Sequence, residues 1–279
     1  MYKTILVHVD DSARSIQRVQ VAAKLAVRFE SHLVGAAMTG LPAYMFPVGS
    51  IDAGMPPVVF PIEDLRAEAE RALNQFDLTA NAEGVHSCER RVVDDEAGIG
   101  MCLQARYSDL TVIGQSVPNE TMPRLRSDFP AYVLLNSPHP VLVLPHRGVT
   151  ADIGRFVTVA WNGSAEAVRA ITSALPLLKR AQRVDLVVIN PAEGAEHGEE
   201  PGADMALFLA RHGIRVELSV VDADAGTGAG ETLLSFAGDK DADLIVMGAF
   251  GHSRLREYFL GGMTLTAIEA SPVALWMSH

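Results

Sequence analysis

The sequence predicts an α/β protein built from two tandem doubly wound domains, each with a mainly parallel five-stranded sheet flanked by helices. Three observations carry that prediction. The chain has 279 residues, which fits about two domains. Anchor segments recur in the same order in its two halves. Within each half, apolar β-branched runs alternate with amphipathic stretches, the pattern of strands buried on both faces of a parallel sheet.

The anchors can be followed residue by residue. Near the start of each half an apolar run ends in a small polar turn, ILVHVDDSA from Ile5 and VTVAWNGSA from Val157, 152 positions apart. Later comes SDLTVIG from Ser108, matched 134 positions on by ADLIVMG from Ala242. Each half closes on Pro and an apolar strand, PVLVLPH from Pro140 and PVALWMSH from Pro272, an offset of 132. The first half therefore holds extra residues between its first two anchors. The excess falls on Met38 to Asp64, a Pro- and Gly-rich stretch without a steady period that reads as a long surface loop. His146 to Gly154 is the natural linker, so the domains are expected at 1–147 and 152–279.

In the second half the strand runs are Phe156–Trp161, Val184–Asn190, Val216–Val221, Asp243–Gly248 and Val273–Met277. Helical patterns lie between them, such as Ala165–Arg180, with Val168, Ile171, Ala174, Leu175 and Leu178 on one side, and Glu231–Asp239. Right-handed crossovers make such a chain a doubly wound sheet, whose ligands sit outside the carboxyl ends of the strands. Each half ends on an apolar strand, Val141–Leu144 or Val273–Met277, that carries almost no charge and needs covering if it lies at a sheet edge. The simplest cover is the other copy, an antiparallel pairing that makes an intramolecular pseudo-dimer, with a further homodimer optional.

Composition excludes several classes. A formal charge of −11 and an acidic isoelectric point argue against a nucleic-acid or membrane-surface binder. No window approaches 18 consecutive apolar residues, so no spanning helix is expected. MYKTILVHVD reads as a buried strand and not as a signal peptide. Cys88 and Cys102 form neither a CxxC pair nor a metal spacing, which fits reduced thiols of a cytoplasmic protein.

The most informative segment is GAFGHSRLREYFLGGMT. Gly248 ends an apolar strand, Gly251 follows three positions later, and Gly261–Gly262 come after nine intervening residues, just before a helical stretch from Met263 to Ala270. Glycines at a strand end let the backbone approach an anion, and a helix start presents free N–H groups and a positive dipole end. Thr264 adds a hydroxyl in the first turn.

On these residues, with Pro272 and the final strand after them, the chain resembles a tandem universal stress protein. The resemblance covers both halves. It implies an adenine nucleotide alpha hydrolase-like fold and binding of an adenine nucleotide, ATP, with magnesium as an optional companion. It also implies a stress-response role with little or no hydrolysis. The nucleotide contacts it implies are Trp161 and Asn162 after the first strand of the second half, and Val188 in the second strand beside the base. The remainder are Met247, Gly248, Gly251, His252, Gly261, Gly262, Met263 and Thr264. Two departures stand out. Asn162 replaces the usual Asp, and Gly262 stands where Ser or Thr is usual. The first half departs further. It retains Asp10, but QSVPNETMPRLRSDF follows Gly114, no second Gly comes after two residues, and Ser127–Asp128 replaces the Gly–Gly pair. Asp128 there reads as an N-cap whose carboxylate repels phosphate, so this half is expected to have lost triphosphate binding.

Other residues carry bland readings. His252 in the loop is either a phosphate contact or an exposed histidine without a role. Arg254 and Arg256 are clamps or a solvated face. His8 reads as a half-buried strand residue, and Ser12 and Ser164 as N-caps rather than nucleophiles. His139, His146, His197, His212 and His279 show no metal spacing, so neither a metal site nor a catalytic residue is assigned. Trp276 and the methionines read as core or interface filling. A nucleotide-binding regulator leads. A slow ATPase and an interaction module with a vestigial or differently occupied pocket are the alternatives.

Overall fold

The computed structural model describes residues 1–40, 62–116, 128–148, 150–190, 200, 202–223, 226–251 and 262–279. Most of the Pro- and Gly-rich stretch, together with His252, Arg254, Arg256 and Gly261, lies outside these residues.

The first half runs β1 (Thr4–Val9), α1 (Ala13–Phe29), β2 (His32–Met38), α2 (Ile62–Ala82), β3 (Cys88–Val93), α3 (Ala97–Ala105), β4 (Leu110–Gly114), α4 (Phe129–Asn136) and β5 (Val141–Leu144). The second half repeats it with β6 (Phe156–Ala160), α5 (Ala165–Leu178), β7 (Arg183–Ile189), α6 (Ala203–Arg211), β8 (Val216–Val221), α7 (Ala229–Asp239), β9 (Leu244–Gly248), α8 (Met263–Ala270) and β10 (Ala274–Ser278).

Within each half the five strands are parallel and follow one order, β3-β2-β1-β4-β5 and β8-β7-β6-β9-β10. The two sheets join through β5 and β10, which pair antiparallel with Leu275 opposite Val143 and Trp276 opposite Leu142. One ten-stranded sheet results, and a buried apolar layer runs along each of its faces through both halves. The closing strands thus lie at its centre. Its outer edges are β3, which carries Glu89, Arg90 and Arg91, and β8, which carries Glu217.

The repeated Ser/Ala-Asp-Leu anchor has a mechanical reason. The carboxylate of Asp109 accepts hydrogen bonds from the backbone N–H groups of Lys3 and Thr4 at the head of β1. Asp243 does the same for Gly154, Arg155 and Phe156 at the head of β6. Each aspartate satisfies backbone donors that the ladder leaves unpaired where its neighbouring strand begins.

Between the halves, Trp276 is fully buried and its indole N–H donates to Ser173 Oγ of α5 at 3.0 Å. The Tyr2 ring of the first half lies 5.2 Å from it, and the Tyr2 hydroxyl donates to the Ser173 carbonyl. Arg28 at the end of α1 reaches Asp152 and the Ile153 carbonyl in the linker. Gln115 donates to the Ser271 carbonyl at the end of α8. No described helix is long and apolar enough to cross a membrane.

Candidate functional site

At the carboxyl end of β9, Gly248 has no room for a side chain. A Cβ there would stand 2.6 Å from the Ala167 backbone nitrogen and 2.8 Å from the Glu166 carbonyl carbon. The strand end is therefore packed directly on the first turn of α5. That turn is fixed by its own cap: Ser164 Oγ accepts from the Ala167 N–H and donates to Asn162 Oδ1. The Asn162 side-chain oxygen also accepts from the Ser164 N–H, closing a tight side-chain turn after β6.

The chain leaving Gly248 is held from three sides. Ala249 donates to the Ser278 carbonyl, and its own carbonyl lies 3.0 Å from His279 Nδ1. The Phe250 N–H donates to Thr264 Oγ1, which ties the loop to the first turn of α8. Phe250 is buried at φ 55, a left-handed conformation that a bulky aromatic adopts only when its surroundings impose it. Gly251 then lies against Ser164 and Glu166, so the beginnings of α5 and α8 both border this strand end.

The sequence-predicted contacts are distributed as follows. Gly248, Gly251, Gly262 and Met263 surround the end of β9 and the start of α8. Thr264 is buried, with its hydroxyl turned to Phe250. Asn162 is exposed at the end of β6, and Trp161 before it is partly buried. Val188 and Met247 are buried in β7 and β9 and face opposite sides of the sheet, Val188 toward Gly202 and Met247 in the layer with Ile245. His252 and Gly261 lie outside the described residues.

The first half fills the same place with its own side chains. Arg18 of α1, only 6 % exposed, donates from Nε to the His8 carbonyl at 2.6 Å and pairs through Nη2 with Asp10 Oδ2 at 2.9 Å. Its other terminal nitrogen lies 3.0 Å from where a Cβ on Gly114 would stand. From α4 the Phe129 ring packs on His8, with centroids 5.1 Å apart. The second half has Ala170, Ala160 and Met263 where the first has Arg18, His8 and Phe129. Asp128 occupies the N-cap position of α4 but makes no capping bond, because its ψ of 14 departs from the extended backbone that capping requires. Ser12 likewise stands at the head of α1 without a capping bond, its hydroxyl donated to Asp10 instead.

His8 is buried rather than half-buried, and this sets the charge of the cluster. Burial pushes its pKa from 6.5 down to about 4, with Arg18 adding to the effect and Asp10 opposing it. Burial alone would raise the Asp10 pKa. Arg18, His8 and the hydrogen bonds from Ser12 outweigh it and hold this carboxyl well below the usual range. The folded state thus takes up the His8 proton later than the unfolded chain as pH falls. Stability is complete above the unfolded value of 6.5 and declines toward the folded value of about 4. The His8 contribution lost between pH 7 and pH 4 is about 3 kcal/mol. Denaturant unfolding at both pH values should show His8→Asn losing less stability over that interval by this amount. Equal losses in the variant and the parent would remove His8 as the cause.

Arg18 and Glu166 are the functional-end residues that the sequence reading missed. A signal for Arg18 exists. It falls in the buried stripe of α1 with Ser15, Val19 and Ala22, and it faces Ala170 in the repeat alignment.

The profile described as the Universal stress protein family matches residues 1–145 and 155–279. Solved structures similar over the whole chain include a universal stress protein from Archaeoglobus fulgidus DSM 4304, at TM-score 0.74 and 18% identity, covering 98% of this chain and 94% of that one. A functionally unknown protein from Pseudomonas aeruginosa PAO1 follows at TM-score 0.61 and 15% identity, covering 99% and 92%. A shorter structure, a universal stress protein in complex with cAMP, covers 52% of this chain and 97% of its own, at TM-score 0.39 and 23% identity. No curated protein matches the chain.

Proposed function

Since the chain belongs to the universal stress protein family, we propose that its second half binds an adenine nucleotide, ATP, as the ligand of a stress-response regulator, and that its first half has exchanged that ligand for an internal ion pair. One observation supports this most: where Arg18, His8 and Phe129 fill the strand end of the first half, the second half has Ala170, Ala160 and Met263. Around Gly248 and Gly251, two helix starts offer N–H groups and positive dipole ends to a phosphate. In this reading Gly248, Gly251, Gly262 and Met263 line the phosphates, and Thr264 acts through Phe250 by fixing the loop. Trp161, Asn162, Val188 and Met247 belong to the sugar and base end. The antiparallel pairing of β5 and β10 serves as a built-in dimer contact that holds an occupied and a closed copy together.

The reading is of a binder rather than a catalyst. Phosphoryl transfer to water needs a group that orients the water and cations that neutralise the phosphates. At the turn after β6 the Asn162 carboxamide oxygen, the group placed to orient such a water, is engaged by Ser164.

Titration calorimetry of the full chain with ATP is expected to give one site per chain. Gly251→Val, whose side chain would meet Ser164 and Glu166 where the phosphate passes, should weaken that site at least tenfold with an unchanged circular dichroism spectrum. Two sites per chain, or no binding, would overturn the proposal.

A further inference from the structure

The two outer edges of the sheet are unequal. At β3 the exposed Arg90 is tied to α2, hydrogen-bonded to Asn74 at 2.7 Å and paired with Glu70 and Asp77. At the same register positions β8 has Leu218 in place of Arg90 and Ser219 in place of Arg91. Leu218 is 38% exposed and Val220 51%. Both stand on the α6 face of the sheet, opposite Leu186 and Val188 of β7, and Leu218 touches Gly202 at the head of α6. Glu217, the one charged residue of β8, is paired with Lys240 at 3.8 Å. The direction of the free backbone groups is also fixed. The Asn190 N–H donates to the Val221 carbonyl, so Val221 turns its backbone groups toward β7. By strand alternation Glu217 and Ser219 do the same, while Val216, Leu218 and Val220 turn their N–H and C=O groups outward. Among the described residues β8 pairs with β7 alone, so this row has no ladder partner. An edge that is regular, apolar and uncharged at its centre is a template for another strand.

We infer that β8 pairs antiparallel with β8 of a second copy of this chain, about a two-fold axis through Ser219 normal to the sheet. Such an axis keeps each face of the sheet on its own side, so opposed residues must come from the same face. With Ser219 on the axis, Leu218 of each copy lies opposite Val220 of the other on the α6 face. Their outward backbone groups then close hydrogen-bonded pairs. On the other face Glu217 meets Val221 of the second copy, and the two Glu217 carboxylates stay well apart. An axis through Leu218 would instead set them diagonally across the pair, where like charges repel. A second β8 is favoured as the occupant because it matches this edge residue for residue. The other sheet edge among the described residues, β3, would bring Arg90 and Arg91 to the contact. The chain already uses the same device internally, since β5 and β10 join antiparallel through strands without charge. The contact closes on itself, so it ends at a dimer.

The test is sedimentation equilibrium of the full chain at concentrations up to about 300 µM. The parent is expected to form a concentration-dependent dimer, because a contact one strand wide belongs to the weak class of interface. Val220→Lys sets a charge against Leu218 twice per dimer and should weaken association at least tenfold, with circular dichroism and melting unchanged. Leu218→Arg, which copies the residue of β3, is the second variant and should do the same. Ser219→Cys tests the register. Opposed residues of a non-hydrogen-bonded pair bring their Cα atoms within disulfide reach, so oxidation should trap a covalent dimer. The parent, with Cys88 and Cys102 as its own thiols, is the control and should not be trapped. The inference is overturned by a parent that stays monomeric over the whole range, or by a dimer that survives both charge variants. Head-to-tail growth beyond a dimer, or no trapped dimer with Ser219→Cys, overturns it equally.

Discussion

Replacing Arg18 by methionine is expected to destabilise the chain by about 3–5 kcal/mol, the cost typical of removing one partner from a buried ion pair. The guanidinium satisfies several groups at once: the His8 carbonyl, Asp10 Oδ2 and the Ser15 hydroxyl. Methionine fills much of the volume but leaves the Asp10 carboxylate without its main counter-charge, beside a buried neutral His8. The loss should therefore come mostly from Asp10, and adding Asp10→Asn should recover more than half of it. In the parent, Asp10→Asn alone strands Arg18 and should also be destabilising. The cycle measured by urea unfolding thus has a large coupling term, of roughly 2 kcal/mol or more, as expected for groups in one hydrogen-bonded network. Additive losses would mean that Arg18 acts through packing alone. The double variant also bears on function, since it empties the first half of its internal charge pair without restoring the second glycine or the Gly–Gly pair. It should not acquire an ATP site.

The architecture was legible because parallel sheets buried on both faces require continuous apolar runs, and because the repeat displays each anchor twice. At the end of β9 the sequence singles out Gly248, which packs on the start of α5 with no room for a Cβ, while His252 to Gly261 lie outside the described residues. What escaped the reading was side-chain direction. Arg18 on a helix of ordinary amphipathic composition reads as solvated until the repeat is aligned and Ala170 is found opposite it. Glu166, in the first turn of α5, resembles any acidic residue that complements a helix start, and only the contact between β9 and α5 shows that it borders Gly251. The Thr264 hydroxyl accepts the Phe250 N–H, because the left-handed backbone there points that group at it, a tie that residue type alone does not show. The Ser12 and Asp128 capping bonds were expected from residue type. They are absent because Asp10 engages the first side chain and the backbone torsions of the second are not extended.

Trp276→Ala is expected to cost about 3–5 kcal/mol, the range for truncating a fully buried large aromatic when the surrounding structure closes only partly over the gap. Three features place this substitution near the upper end. The indole lies on β10, opposite Leu142 of β5, in the one strand pair that joins the halves. Its neighbours come from both halves, with the Tyr2 ring on one side and Ser173 of α5 on the other, so collapse into the gap would have to move two separately anchored elements. Its N–H bond to Ser173 Oγ is partly buried, and truncation leaves that hydroxyl one partner short. Trp276→Phe keeps an aromatic against Tyr2 and gives up that bond and part of the volume, so it should cost clearly less, about 1–2 kcal/mol. The contact with Tyr2 is measurable separately. Tyr2→Leu combined with Trp276→Phe should show a coupling of roughly 0.5–1.5 kcal/mol, the usual worth of an aromatic pair beyond its buried area. Because the ring belongs to both halves, the loss should move the unfolding of the whole chain as one transition. A Trp276→Ala loss below about 1.5 kcal/mol, or a transition confined to the second half, would show that the halves are held together by the Arg28 and Gln115 contacts instead.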